Sequence, residues 1–215
     1  MGSPSYEHKK MALIDEITAA FDDVSRENGV SLSEAWAIDD YGSDEERAVA
    51  RRQDTETRWQ DVPAEDMCFG YSCLNFLDEI GFRYYIPAYV VWFLRNMDNE
   101  DPEAPSFSSN TFERLLYALG SNGSGSLDDR HLAKYRLFTP AQSRSIAHFL
   151  KFHEAREDAI RVELAHLRQK RLAKEGFSPE EIDEAWQEGE RIRAKHDLPD
   201  NDARRALERY WGQFL

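Results

Sequence analysis

The chain has 215 residues and a mass of 25.0 kDa, enough to bury one hydrophobic core, with 41 Asp and Glu against 27 Lys and Arg for a formal net charge of -14. That balance repels duplex nucleic acid and anionic membrane surfaces, which excludes both as expected partners. The field is concentrated at the front: residues 1–66 hold 17 acidic and 7 basic side chains, a net of -10, whereas residues 151–215 hold 15 and 13, a net of -2.

Helical periodicity recurs along the sequence, and strand alternation is found almost nowhere. Leu13, Ile14, Ile17, Phe21 and Val24 mark one face of a first helix, which Asn28 and Gly29 should end. Two capping boxes follow, Ser31 with Glu34 and Ser43 with Glu46; Gly42 is expected to stop the short helix between them. Pro63 should open a longer helix with Met67, Tyr71, Leu74, Phe76 and Leu77 on its apolar side and Gly81 at its end. Cys68 and Cys73, five apart, fall on different faces of that helix and read as reduced core thiols rather than as a disulfide.

The segment from Gly81 to Leu94, "GFRYYIPAYVVWFL", is the least polar in the chain, with Pro87 in its middle. Proline disfavours helical geometry at the residue before it and is tolerated in a first turn. The sequence therefore predicts an elbow at "GFRYYI" with Ile86 extended, and a helix starting at Pro87 and wrapped on all sides through Asn96. A polar connector, a helix carrying Phe112, Leu115, Leu116 and Leu119, and a flexible loop at Ser121–Ser126 come next. Thr139 and Pro140 launch the longest helical run, about 141–175, with Ile146, Phe149, Leu150, Ile160, Leu164 and Leu167 as one stripe. Ser178 with Glu181 begins another helix, and Pro199 with Asp202 a last one.

The expected fold is all-α: a single-domain helical bundle of about eight or nine helices around a buried central helix at about 87–96, with a long helix at about 141–175. Within it, residues 1–58 are acidic N-terminal helices packed on the core, 59–152 the core helical region, and 153–215 a C-terminal helical extension.

Candidate chemistry is sparse. His153 and Glu157 stand at i, i+4 near the centre of the long stripe, which suits a hydrogen-bonded pair inside the bundle, an acid/base pair, or simple exposure. A metal site needs further ligands that the spacing does not supply, since His148 and His153 are five apart and diverge, so no metal and no cofactor is expected. Arg83, the one charge between Glu79 and Arg95, can pair with Asp78, Glu79 or Glu157, or stack on a ring and grip an anion. Tyr84 and Tyr85 point in different directions, so at most one should be fully buried, with the other projecting at the elbow. No GxSxG elbow, HExxH or phosphate-binding glycine loop is found.

"WQDVPAEDM", "LNFLDEIGFRYYIPAYVVWFL" and "LFTPAQSRSIAHFL", in that order over Trp59–Phe152, resemble a bacterial family known only as a domain of unknown function, with a GFRYYLPAY-like centre. The resemblance implies a small helical cytoplasmic protein and carries over no activity or catalytic residue; the acidic front and the tail after Lys151 lie outside it. Few cysteines and no apolar leader in "MGSPSYEHKKMALIDEI" also suit the cytoplasm.

Two functions follow as expectations. The first is a non-enzymatic interaction or regulatory module, immunity-like in the sense of neutralising a basic protein, docked through the acidic front or the "FRYY" elbow. The alternative is an enzyme or small-anion-binding protein with Arg83, Tyr84 or Tyr85, His153 and Glu157 in one pocket. A nucleic-acid mimic whose front acids line one face is a third idea. Nothing in the sequence sets an oligomeric state.

Overall fold

A computed structural model describes residues 4–69, 72–98, 109–121, 126–195 and 201–215. Among the described residues there are ten α-helices and no strand. They are α1 (Pro4–Ala20), α2 (Leu32–Asp39), α3 (Asp44–Arg51), α4 (Ala64–Phe69), α5 (Glu79–Asn96), α6 (Ser109–Ala118), α7 (Asp129–Arg136), α8 (Pro140–Lys174), α9 (Pro179–Lys195) and α10 (Asp202–Arg209). Three 3-10 turns, at Trp59–Asp61, Cys73–Asn75 and Trp211–Phe214, are also found among the described residues. The predicted loop between Ser121 and Ser126 and most of the polar connector before α6 lie outside the described residues, as do Gly70, Tyr71 and Pro199.

Helix α5 is the centre of the bundle. Every residue from Gly81 to Leu94 except Arg83 is buried, with α1, α6 and α7 packed around it and Phe93 set edge-on to Phe149 of α8. The expected wrapped helix is present, but it starts eight residues earlier than the sequence predicts. There is no elbow at "GFRYYI": Ile86 is helical and Pro87 lies inside α5. Asp78 sets the start instead, its carboxylate accepting from the Gly81 N–H at 2.8 Å and from the Val30 N–H at 2.9 Å. A proline in a helix interior costs about 3 kcal/mol. Burying one large apolar side chain stabilises by about 1.5–3 kcal/mol. The row of aromatic and aliphatic residues on α5 outweighs the proline several times over, so the helix runs through it.

The helix expected from Pro63 to Gly81 is correspondingly divided into α4, the Cys73–Asn75 turn and the first turn of α5. Gly81 does not end a helix. A Cβ there would lie 2.3 Å from the Val30 carbonyl oxygen, so glycine is needed for the α1–α2 loop to approach α5. Cys73 is buried with a free thiol that burial, then Asp39 and Asp54, push up to about 12.

Both early capping boxes form, as does one at Thr139 with Gln142 that opens α8. The end of α2 departs from expectation: Tyr41, at φ 59°, takes the left-handed position, and the Gly42 N–H donates to the Ala37 carbonyl at 2.7 Å. Together with the Tyr41 N–H to Ile38 this is a Schellman closure with tyrosine where glycine is usual. The predicted stripe on α8 also divides. Ile146, Phe149 and Leu150 are buried in the core, whereas Ile160, Leu164 and Leu167 are 37, 60 and 53 % exposed on a half-helix that runs beside α9.

Candidate functional site

The five residues singled out from the sequence occupy two places. Arg83 meets Gln142 near the start of α8, its Nε donating to Oε1 at 3.3 Å, rather than any of the carboxylates considered for it. His153 instead packs against Phe93. Ten residues of helix separate Arg83 from Phe93, about 15 Å along the axis, so these groups do not converge on one pocket.

Tyr84 and Tyr85 are both fully buried, where one was expected to project. The reason is the missing elbow: on a helix wrapped all round, two directions 100° apart are equally enclosed. The Tyr85 hydroxyl joins a polar knot that ties α5 to the loops around it. It donates to Glu56 at 2.7 Å and accepts from Arg26 at 2.7 Å, while Arg26 also pairs with Glu56 at 2.9 Å and donates to the Asp54 carbonyl at 2.7 Å. Burial, and then Glu56, raise the Tyr85 pKa. The Tyr84 hydroxyl is buried with no hydrogen-bond partner among the described residues, and burial followed by Glu56 raises its pKa as well.

His153 is 1 % exposed, in a box of Phe93, Phe112 and Phe149 with ring centroids 5.4, 4.5 and 6.3 Å away. Neither ring nitrogen has a hydrogen-bond partner among the described residues; Glu157 approaches Nε2 at 3.5 Å, too long for a good hydrogen bond. Both residues border a cavity of about 460 Å³ at the foot of α8 and α9, with Arg156, Arg168 and Trp186 also on its wall. Asp202 stands nearby, its pKa raised by burial first and then by Glu157. Among the described residues no group of three His, Cys, Asp or Glu side chains could hold a metal ion.

A further neighbourhood, which the sequence reading missed, lies on the acidic front. Trp36 is 49 % exposed on α2, and Tyr41 is 97 % exposed at the turn into α3. Trp36 walls a cleft of about 340 Å³ with Ser33, Asp40, Gln53, Asp66 and Cys73. Desolvation, then Asp54, Glu65 and Glu56, raise the Asp66 pKa, the mark of a carboxylate facing like charge. Asp44, Glu45 and Glu46 crowd the first turn of α3, one turn beyond Tyr41. The available signal was "AIDDYGSDEE", two carboxylates and an aromatic ring just before a glycine; reading Gly42 as the helix stop hid the left-handed tyrosine. Lys134 also escaped notice. Burial, then Arg130, bring its pKa down to about 8, and its ammonium donates to the Leu74 and Asn75 carbonyls at 2.9 and 3.1 Å, fastening α7 to the Cys73–Asn75 turn.

Among the described residues no helix is long and apolar enough to cross a membrane. No curated protein and no solved structure matches the chain. A family described as "Family of unknown function (DUF6714)" matches residues 9–214, taking in the acidic front and nearly all of the tail, both of which the motif resemblance left outside. With the match running from α1 to the C-terminal turn, the chain belongs to that family of unknown function.

Proposed function

We propose that the protein is a non-catalytic docking module whose α2–α3 face receives a basic protein partner. The observation that carries this reading is Tyr41. Its backbone sits at φ 59°, where a side chain costs about 1 kcal/mol relative to glycine, yet its ring is 97 % exposed and so gains little from packing. The left-handed backbone serves the Schellman closure, which glycine would serve equally well; the exposed ring has no structural return and is a candidate for contact outside the chain. Around it the chemistry is that of a cation receptor: the Trp36 face for stacking, and Asp40 and Asp66 for the charge of an incoming Arg or Lys. A regulatory or neutralising role toward a basic protein in the bacterial cytoplasm fits this surface. The "FRYY" segment takes no part, since both tyrosines are enclosed.

A short arginine-rich peptide titrated against the protein should change the emission of Trp36, with affinity falling steeply between low salt and about 0.5 M. Tyr41→Gly and Asp66→Asn should each weaken binding about three- to tenfold while the protein stays folded. Binding that is indifferent to salt and to both substitutions overturns the proposal.

A second reading rests on His153. Two unpaired nitrogens beside a cavity that Arg156 and Arg168 also border suit a small organic anion. Thermal-shift measurements with small carboxylates and phosphate test it: stabilisation that His153→Gln abolishes supports the reading, and no shift with any anion removes it.

A further inference from the structure

Beyond Glu157, α8 leaves the core and forms an antiparallel hairpin with α9. Its exposed residues Ile160, Leu164 and Leu167 recur at i, i+4 and i+7, one side of the helix. On α9, Ala185, Gly189 and Ile192 recur at the same spacing, but two of the three are small. Gly189 has no atom within 4 Å of where a Cβ would stand, and Ile192 is 49 % exposed. One helix thus presents a ridge and the other a shallow trough.

The two helices also carry opposite charge. Residues 160–174 hold five basic side chains (Arg161, Arg168, Lys170, Arg171, Lys174) and one acidic (Glu163), a net of +4; residues 179–190 hold six acidic and no basic side chains, a net of -6, which Arg191, Arg193 and Lys195 at the C-terminal end of α9 reduce to -3 over the whole helix. Within the hairpin, Arg161 and Glu190 join the two helices at 3.1 Å near its foot. Further out, Arg168, Lys170 and Lys174 face solvent and make no ion pair among the described residues.

We propose that this hairpin is a self-association surface, and that its occupant is a second copy of the same chain. A face with a positive strip beside a negative one is complementary to itself after half a turn. A two-fold axis running along the hairpin sets each α8 antiparallel to the partner's α9. Leu164 and Leu167 then enter the trough at Gly189, and the Lys170–Lys174 end meets the carboxylates of α9. A foreign helix would need both strips reversed in the same register; a second copy supplies that by symmetry. The hairpin face is about 22 Å long and about 20 Å, two helix diameters, across. That is at the low end of areas that hold a dimer, so association is in the micromolar range and depends on salt. This face is separate from the α2–α3 surface, so the two proposals stand or fall independently.

Sedimentation equilibrium on the full chain tests it. From about 1 to about 200 μM at low salt, the mass should rise from 25.0 kDa toward twice that value. Leu164→Glu changes a side chain that is already 60 % exposed, and should leave a folded monomer at every concentration. The pair Glu184→Lys/Glu188→Lys and the pair Lys170→Glu/Arg171→Glu should each be monomeric over this range alone, because the first cuts residues 179–190 from a net of -6 to -2 and the second cuts residues 160–174 from +4 to 0, which removes most of the attraction between the strips. Mixed in equal amounts, the two double variants should recover the dimer. A wild-type chain that stays monomeric throughout overturns the proposal; so does a dimer that survives Leu164→Glu, and so does a mixture that remains monomeric.

Discussion

At the scale of single residues, stability and function separate most clearly at Tyr41 and Asp66. Tyr41→Gly should stabilise the fold by up to about 1 kcal/mol, read as a rise in the denaturation midpoint, because glycine adopts the left-handed backbone without the Cβ clash. Asp66 has a folded pKa above its ordinary value, so its charge opposes folding once pH exceeds the unfolded pKa. Asp66→Asn should therefore raise the melting temperature at neutral pH, and the gain should vanish below the ordinary value of 3.8, where the carboxyl is protonated in both states. Falls in stability for both variants would show that the acidic face is built for packing. His153 and Glu157 were legible as a pair because i, i+4 spacing fixes proximity on any helix. The aromatic box that encloses His153 was not, since Phe93, Phe112 and Phe149 come from three helices whose mutual placement no local pattern encodes.

At the scale of elements, α5 shows local rules competing. Its N-terminus depends on Asp78, whose single carboxylate satisfies two backbone donors, Gly81 in the helix and Val30 in the facing loop. Asp78→Ala should cost about 2 kcal/mol, as the loss of a cap and of a tertiary hydrogen bond together. Gly81→Ala should cost more than about 2 kcal/mol, since the added methyl would overlap the Val30 carbonyl and force the loop away. Denaturant unfolding of both variants checks this, and a Gly81→Ala protein as stable as wild type would show that the loop moves freely. The caps at Ser31, Ser43 and Thr139 were readable because each is a matter of four consecutive residues. The elbow at Pro87 was misread because a proline rule weighs one lost hydrogen bond, while the burial that overrides it is decided by neighbours distant in sequence.

At the scale of the whole molecule, ion pairs and aromatic plugs join helices that are far apart along the chain. Asp98, just past α5, pairs with Lys10 of α1 at 3.0 Å and with Arg156 of α8 at 3.4 Å. Burial alone would raise the Asp98 pKa; Lys10 first and Arg156 second more than offset it, holding the carboxyl below its ordinary value. A carboxylate depressed in the folded state contributes stability that is present above the unfolded pKa and lost as pH falls through the folded one. Stability should thus decline on acidification below 3.8, and Asp98→Asn should flatten that limb while lowering stability at neutral pH. Urea midpoints across the acid range measure it; a limb of unchanged slope would exclude this triad as its source. The C-terminal turn closes the other end. Trp211 is fully buried, donates to the Leu119 carbonyl at 2.9 Å and packs on Tyr135, so Trp211→Ala should cost about 3–5 kcal/mol by thermal melting.

The sequence by itself determined the all-α class, the enclosure of the segment from Ala88 to Leu94, the caps that start four of the helices and the acidity of the front. Each follows from composition, a period of 3.6 or a four-residue motif, and these act within a turn or two of the chain. Only the tertiary structure decided that α5 runs through Pro87, that Arg83 and His153 stand at opposite ends of it, and that Tyr41 projects beside a carboxylate-lined cleft. It also decided that half of α8 leaves the core. Those outcomes depend on which surfaces meet, and burial summed over contacts between distant segments outweighs the few kcal/mol by which any local preference resists it.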